Sequence, residues 1–160
     1  MHASRRNFLM GAAALSAAVI TPETVRAMAA QQVAADWALA THWFDGDGLM
    51  RAFRVNGGQV TLDARFADTP KRRWESEIDA VVSPGFGTAG DARARIGSND
   101  DANAANTAVM VAGDEVWALW EGGSPMAMAA SDLSTQGFVT LRDDLKGMPF
   151  QAHPRYDPDG

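Results

Sequence analysis

Two stretches of this chain carry a pattern that is satisfied only by paired strands. In LMRAFRVNGGQVTLDARF, residues 49–66, Val60, Leu62, Ala64 and Phe66 alternate with Thr61, Asp63 and Arg65. A period of two puts the apolar set on one face and the polar set on the other. The preceding Asn56, Gly57 and Gly58 tolerate positive φ and so predict a tight hairpin turn. In NTAVMVAGDEVWALW, residues 106–120, Gly113 and Asp114 mark a second turn, and the run from Val116 to Trp120 is apolar throughout. Such a run predicts a strand buried on both faces. Shorter strands are expected around Met126–Ala129 and Gly137–Leu141. No sustained helical periodicity follows residue 40, so the fold class is all-β, a propeller or a sandwich. Residues 67–105 separate the hairpins as one long irregular piece, a length that is usually functional or mobile.

The remaining composition narrows the function. At 160 residues and 46% apolar content the chain can build one domain with a core. It has no cysteine, which excludes a disulfide framework and a thiolate metal site. A formal net charge of −6 argues against nucleic acid as a partner, because phosphate contacts need a basic face. No apolar run reaches the length of about 18 residues that a membrane span requires.

The first 29 residues are set apart by their texture. Arg5 and Arg6 precede Phe8 and Leu9, an apolar stretch follows, and Ala27-Met28-Ala29 has the small-x-small pattern of a cleavage site. The segment resembles a twin-arginine export signal, which predicts a helical signal segment over 1–29, cleavage after Ala29 and a periplasmic or exported protein. Residues 30–40 read as a linker and 41–160 as the folded part. Removing 1–29 takes Arg5, Arg6, Arg26 and Glu23 away and leaves a formal net charge of −8, which favours solubility.

Local spacing alone names no active site. Asp45 and Asp47 in FDGDG lack the further ligands and the terminal glutamate of a calcium loop, so a turn into a strand is the simpler reading. Glu121 follows a buried apolar strand directly, where burial disfavours a charged carboxylate; it either turns to solvent at Gly122-Gly123 or has a polar task. His153 stands in PFQAHPRYDPDG with no second histidine near it, and His42 is far upstream. Neutral imidazole is the commonest metal ligand, but a lone histidine in a loop is more often structural.

Three segments taken in order resolve this ambiguity. HWFDGDGLM, ANTAVMVAGDEVWALWEGGSP and PFQAHPRYDPDG together resemble the carotenoid oxygenases, a family that includes apocarotenoid and lignostilbene cleavage dioxygenases. The resemblance runs from about Thr41 to Gly160. It implies a seven-bladed β-propeller, of which this chain would supply about one to two blades. It implies one Fe(II) per complete propeller, held on the axis by four histidines from four blades. His153, in Ala152-His153-Pro154, matches the first of these ligands. Glu121 matches a carboxylate that hydrogen-bonds a ligand histidine, one of the later three rather than His153; such a partner fixes the tautomer and raises ligand basicity. His42 would pack or hydrogen-bond without touching iron.

The implied reaction is cleavage of a conjugated double bond of an apolar polyene or stilbenoid by O₂, giving two carbonyl products. Peripheral membrane contact of the full-length protein is expected with it, and nucleic acid is not. The chain departs from the family pattern in two ways. A strand expected before HWFDGDG is not apparent, and the other three histidines do not follow His153. The expectation is therefore a truncated, inactive portion, with the edges and the apolar residues Trp117, Leu119 and Trp120 left exposed. The alternative is a small exported β-rich binding or interaction protein without catalysis.

Overall fold

The computed structural model describes residues 15–17, 25–33, 43–87, 89–155 and 157 of the chain. Among the described residues eight strands form two four-stranded antiparallel sheets, each a meander in which every strand pairs with its neighbour in sequence. The first contains β1 (Leu15–Ala17), β2 (Val25–Val33), β3 (Asp47–Asn56) and β4 (Gln59–Phe66). The second contains β5 (Ala108–Ala112), β6 (Glu115–Leu119), β7 (Met126–Ala129) and β8 (Thr135–Phe138). A four-stranded meander is the unit of a propeller blade, so the architecture is that of two blades in succession.

Both predicted hairpins are present. β3 and β4 pair in continuous register from Leu49–Phe66 to Asn56–Gln59, with Gly57 and Gly58 both at positive φ in the turn. β5 and β6 pair from Ala108–Leu119 to Ala112–Glu115 around Gly113. β7 occupies the predicted span, whereas β8 begins at Thr135, earlier than the sequence suggests.

The core lies between the sheets. Met50 and Ala52 of β3 pack against Val116 and Ala118 of β6 and Met126 and Met128 of β7, with Leu133 closing one side. Deleting one of the larger members to alanine costs about 2–5 kcal/mol in such a setting. Arg54 crosses the same junction, donating to the carbonyls of Ala130 and Ser131 while it pairs with Asp63 at 2.8 Å.

Several expectations are corrected here. β1 and β2 are strands where the sequence predicts helix, and β2 stands before HWFDGDG, where no strand was apparent. Alanine-rich sequence favours helix intrinsically, but from Val25 to Ala30 each residue pairs with β3, and such pairing overrides propensity. Trp117, Leu119 and Trp120 are not left exposed. Leu119 is fully buried, and the Phe150 ring meets Trp117 edge-on at 6.4 Å. Exposed apolar side chains lie instead at Phe86, Leu141 and Met148 and on the first sheet, where Val55, Val60 and Leu62 are each more than half exposed. Their alternation is a true strand signal, but among the described residues nothing covers their face.

The long connection also holds a helix that periodicity does not reveal, α1 (Pro70–Glu77). Thr69 caps it, its hydroxyl accepting from Arg72 N at 3.1 Å, and Pro70 starts it where a missing N–H costs nothing. The face α1 buries is charged. Lys71 and Glu75, one turn apart, form an ion pair at 2.9 Å.

Candidate functional site

Residues 103–107 join the two sheets, and the geometry of the site starts from them. Gly48 N, at the start of β3, donates to Ala104 O at 2.8 Å, and a Cβ at Gly48 would run into the Ala105 carbonyl. Asn106 donates from Nδ2 to Phe44 O at 2.7 Å and Gly46 O at 2.6 Å, which clasps the FDGDG turn. Asn103, fully buried, donates to Ser124 O at 2.8 Å and accepts from Ala105 N at 2.9 Å. The second of these bonds helps hold Ala105 at a φ of 48°, a region that non-glycine residues seldom occupy. Thr107 N then donates to Leu119 O, and the chain enters β5.

The two aspartates of FDGDG are engaged by protein donors. Asp45, buried, accepts from Phe86 N at 2.6 Å and Gly87 N at 3.4 Å, fixing the loop after α1. Asp47 accepts from Lys71 Nζ at 2.9 Å. Lys71 thus stands between Asp47 and Glu75, and Glu75 also accepts from Val82 N and Ser83 N. Burial pulls the Lys71 ammonium downward, but the charges of Asp47 and Glu75 outweigh it and hold the group above the usual lysine value. This is the donor pattern of a structural turn.

Glu121 and His153 come together at the end of the second sheet where β5 begins and β6 finishes. Thr107 Oγ1 donates to Glu121 Oε2 at 3.0 Å. His153 Nε2 lies 3.7 Å from Glu121 Oε1, beyond a hydrogen bond but within ion-pair range, with both side chains largely open to solvent. The carboxylate is thus both at a strand end and in polar contact. Among the described residues the imidazole beside it is that of His153, whereas the resemblance implies a different histidine. His153 is held from its backbone: Ala152 is buried, Phe150 N donates to Gly123 O at 2.9 Å, and Gln151 Nε2 donates to His153 O at 2.7 Å. His42 lies outside the described residues.

An imidazole nitrogen suits Fe(II), and a carboxylate near one ring nitrogen leaves the other available, so His153 and Glu121 fit a share of such a site. Among the described residues no group of three or more His, Cys, Asp or Glu could hold a metal ion. Sequence reasoning missed Asn103, Asn106 and Thr107. Their signal was present: three polar residues crowd a short segment immediately before an apolar strand, where only buried hydrogen bonds keep them.

The three motifs therefore meet in space. Comparison with known proteins agrees with that convergence. The family model described as retinal pigment epithelial membrane protein matches residues 23–160. The apocarotenoid-15,15'-oxygenase of Synechocystis is 38% identical over 122 residues, covering 73% of this chain and 25% of that protein. The Pseudomonas brassicacearum lignostilbene dioxygenase superposes with a TM-score of 0.72 over 91% of this chain and 31% of its own, at 24% identity, a likeness of fold. A cobalt-substituted Synechocystis apocarotenoid oxygenase superposes with a TM-score of 0.60 at 36% identity, over 73% of this chain and 26% of that one. The chain spans about a quarter of the length of the curated relatives it matches.

Proposed function

The chain belongs to the carotenoid oxygenase family, and from that premise we propose that it supplies the first metal-ligand region of a non-haem Fe(II) dioxygenase. The reaction joins O₂ to a conjugated C=C bond of a carotenoid, apocarotenoid or stilbene. The double bond and the O–O bond break, each carbon takes one oxygen, and two carbonyl products leave. Fe(II), when bound, supplies the activation of O₂. Of this chain's residues, His153 would hold the metal. Glu121, itself held by Thr107, would orient an imidazole through a ring N–H. The observation that carries the reading is the meeting of Thr107, Glu121 and His153 at one end of the second sheet.

One histidine does not fix an iron geometry, so activity belongs to an assembled propeller. The test is a chimera in which residues 41–160 replace the matching quarter of the Synechocystis apocarotenoid oxygenase. It is expected to bind iron and to bleach an apocarotenoid only when O₂ is present, and His153→Ala in the same chimera to lose both. Full iron content and turnover in His153→Ala would refute the assignment.

Export and membrane contact belong to the same proposal. The paired Arg5 and Arg6 support twin-arginine export with cleavage after Ala29. The exposed Phe86, stacked edge-on against Phe44 at 5.6 Å, supports peripheral contact with lipid. Failure of the chimera to sediment with anionic vesicles would remove the latter.

A further inference from the structure

The segment that precedes Asn103 contains a buried carboxylate that the proposed chemistry does not use. Asp100 sits in the short 3-10 helix Asn99–Ala102. Its Oδ1 accepts from Ser124 N at 2.7 Å and, more weakly, from Asn103 Nδ2 at 3.4 Å, and its Oδ2 accepts from Ser124 Oγ at 2.8 Å. Ser124 is buried, and its carbonyl is taken by Asn103. Both backbone groups of this residue, and its hydroxyl, are therefore bound by Asp100 and by Asn103, the residue that follows the helix.

The grip extends to both residues of the candidate site. Ser124 closes the turn Glu121-Gly122-Gly123, and a Cβ at Gly123 would come within 2.5 Å of Asp100 Oδ1. Gly123 O accepts from Phe150 N at 2.9 Å, three residues before His153. One buried carboxylate thus fixes the turn that carries Glu121 on one side and anchors the segment that carries His153 on the other. Charge-assisted bonds to backbone N–H groups are about twice as strong as neutral ones and hold such a turn in one geometry.

We propose that Asp100 is a positioning residue that sets Glu121 against His153 through Ser124 and Gly123. The inference rests on the proposed function for its purpose but not for its test, which needs no metal. The full chain, labelled at histidine and glutamate, is read by the nuclear Overhauser effect between the Glu121 γ protons and the His153 ring. Hydrogen exchange at Val116 and Ala118 is read in parallel as a measure of intact sheet. The wild type is expected to show the Overhauser effect. Asp100→Ala is expected to lose it while Val116 and Ala118 stay protected. Asp100→Asn, which keeps an acceptor for Ser124 N, is expected to restore it.

Absence of the effect in the wild type, or its persistence in folded Asp100→Ala, overturns the proposal. So does a loss shared equally by Asp114→Ala at the opposite end of the β5–β6 hairpin. Where Asp100→Ala does not fold, Ser124→Ala decides: it removes only the Oδ2 bond, and an unweakened Overhauser effect in it overturns the proposal as well. A chimera without activity that still shows the Asp100-dependent effect refutes the catalytic reading and leaves the positioning role standing.

Discussion

Replacing Glu75 by glutamine isolates the charge of one buried group. Glu75 is fully buried and pairs at 2.9 Å with Lys71, which is 4% exposed. The amide oxygen of glutamine can still accept from Val82 N and Ser83 N, so those backbone groups stay satisfied. What is lost is the carboxylate opposite a buried ammonium. Removing one partner of a buried pair costs about 3–5 kcal/mol. Asp47 remains 2.9 Å from Lys71, which places Glu75→Gln near the lower end, at about 3 kcal/mol. Against a total stability of about 5–15 kcal/mol, that is a large fraction. With a urea slope of about 2 kcal/mol/M, the unfolding midpoint followed by tryptophan fluorescence should fall by about 1.5 M.

The pH dependence gives an independent check with a definite sign. The Lys71 pKa is raised in the folded chain, because Asp47 and Glu75 outweigh the effect of burial. A raised lysine pKa contributes stability that is complete below the unfolded value, about 10.4, and is lost as pH rises through the folded value. The wild type should therefore lose stability above about pH 10 through this group. In Glu75→Gln burial faces a single carboxylate, the Lys71 pKa falls, and that alkaline loss should disappear. A midpoint change equivalent to less than about 1 kcal/mol, the range of exposed pairs, with an alkaline profile matching the wild type, would refute the reasoning.

Further outcomes follow from the same structure. Asn106→Ala leaves Phe44 O and Gly46 O without their Nδ2 donor, and should cost about 2 kcal/mol or more in a chemical melt. Leu62→Lys falls on the uncovered face of the first sheet; it should raise the concentration at which the chain stays monomeric in sedimentation, with stability unchanged within about 0.5 kcal/mol. If export removes residues 1–29, intact mass of the periplasmic protein should show Ala30 at the N-terminus. Those amides of residues 50–54 that bond to residues 25–29 rather than to β4 should then exchange faster than in the unprocessed chain.

The legible parts of the fold were those written in local code. Asn56-Gly57-Gly58 and Gly113-Asp114 specify hairpins because few other conformations accept those residues, and both turns lie where they were expected. The helix Pro70–Glu77 escaped because its buried face is Lys71 and Glu75, so apolar periodicity had nothing to report; the Thr69-Pro70 cap was its only sign. β2 escaped because alanine-rich sequence does not declare a strand until β3 pairs with it. At the site, His153 and Glu121 were singled out by resemblance, not by spacing, since 32 positions separate residues that the fold brings to 3.7 Å. Asp100 could not have been found that way. Its role depends on a bond to Ser124 across the fold, and an aspartate beside Asn99 and Asp101 looks like any polar loop.

The meander of the second sheet bears on the order in which the chain acquires structure. All of its pairings join consecutive strands between Ala108 and Phe138, so none waits for a distant partner. Short-range pairings close small loops and form quickly. The bonds from Asn106 to Phe44 and Gly46 span 62 and 60 positions, and the loop closure they require is slower. The local hairpins, β5–β6 among them, should therefore form early, with the Asn106 segment docking late. Substitutions at the Gly113-Asp114 turn would then slow folding, and those at Asn106 would chiefly hasten unfolding.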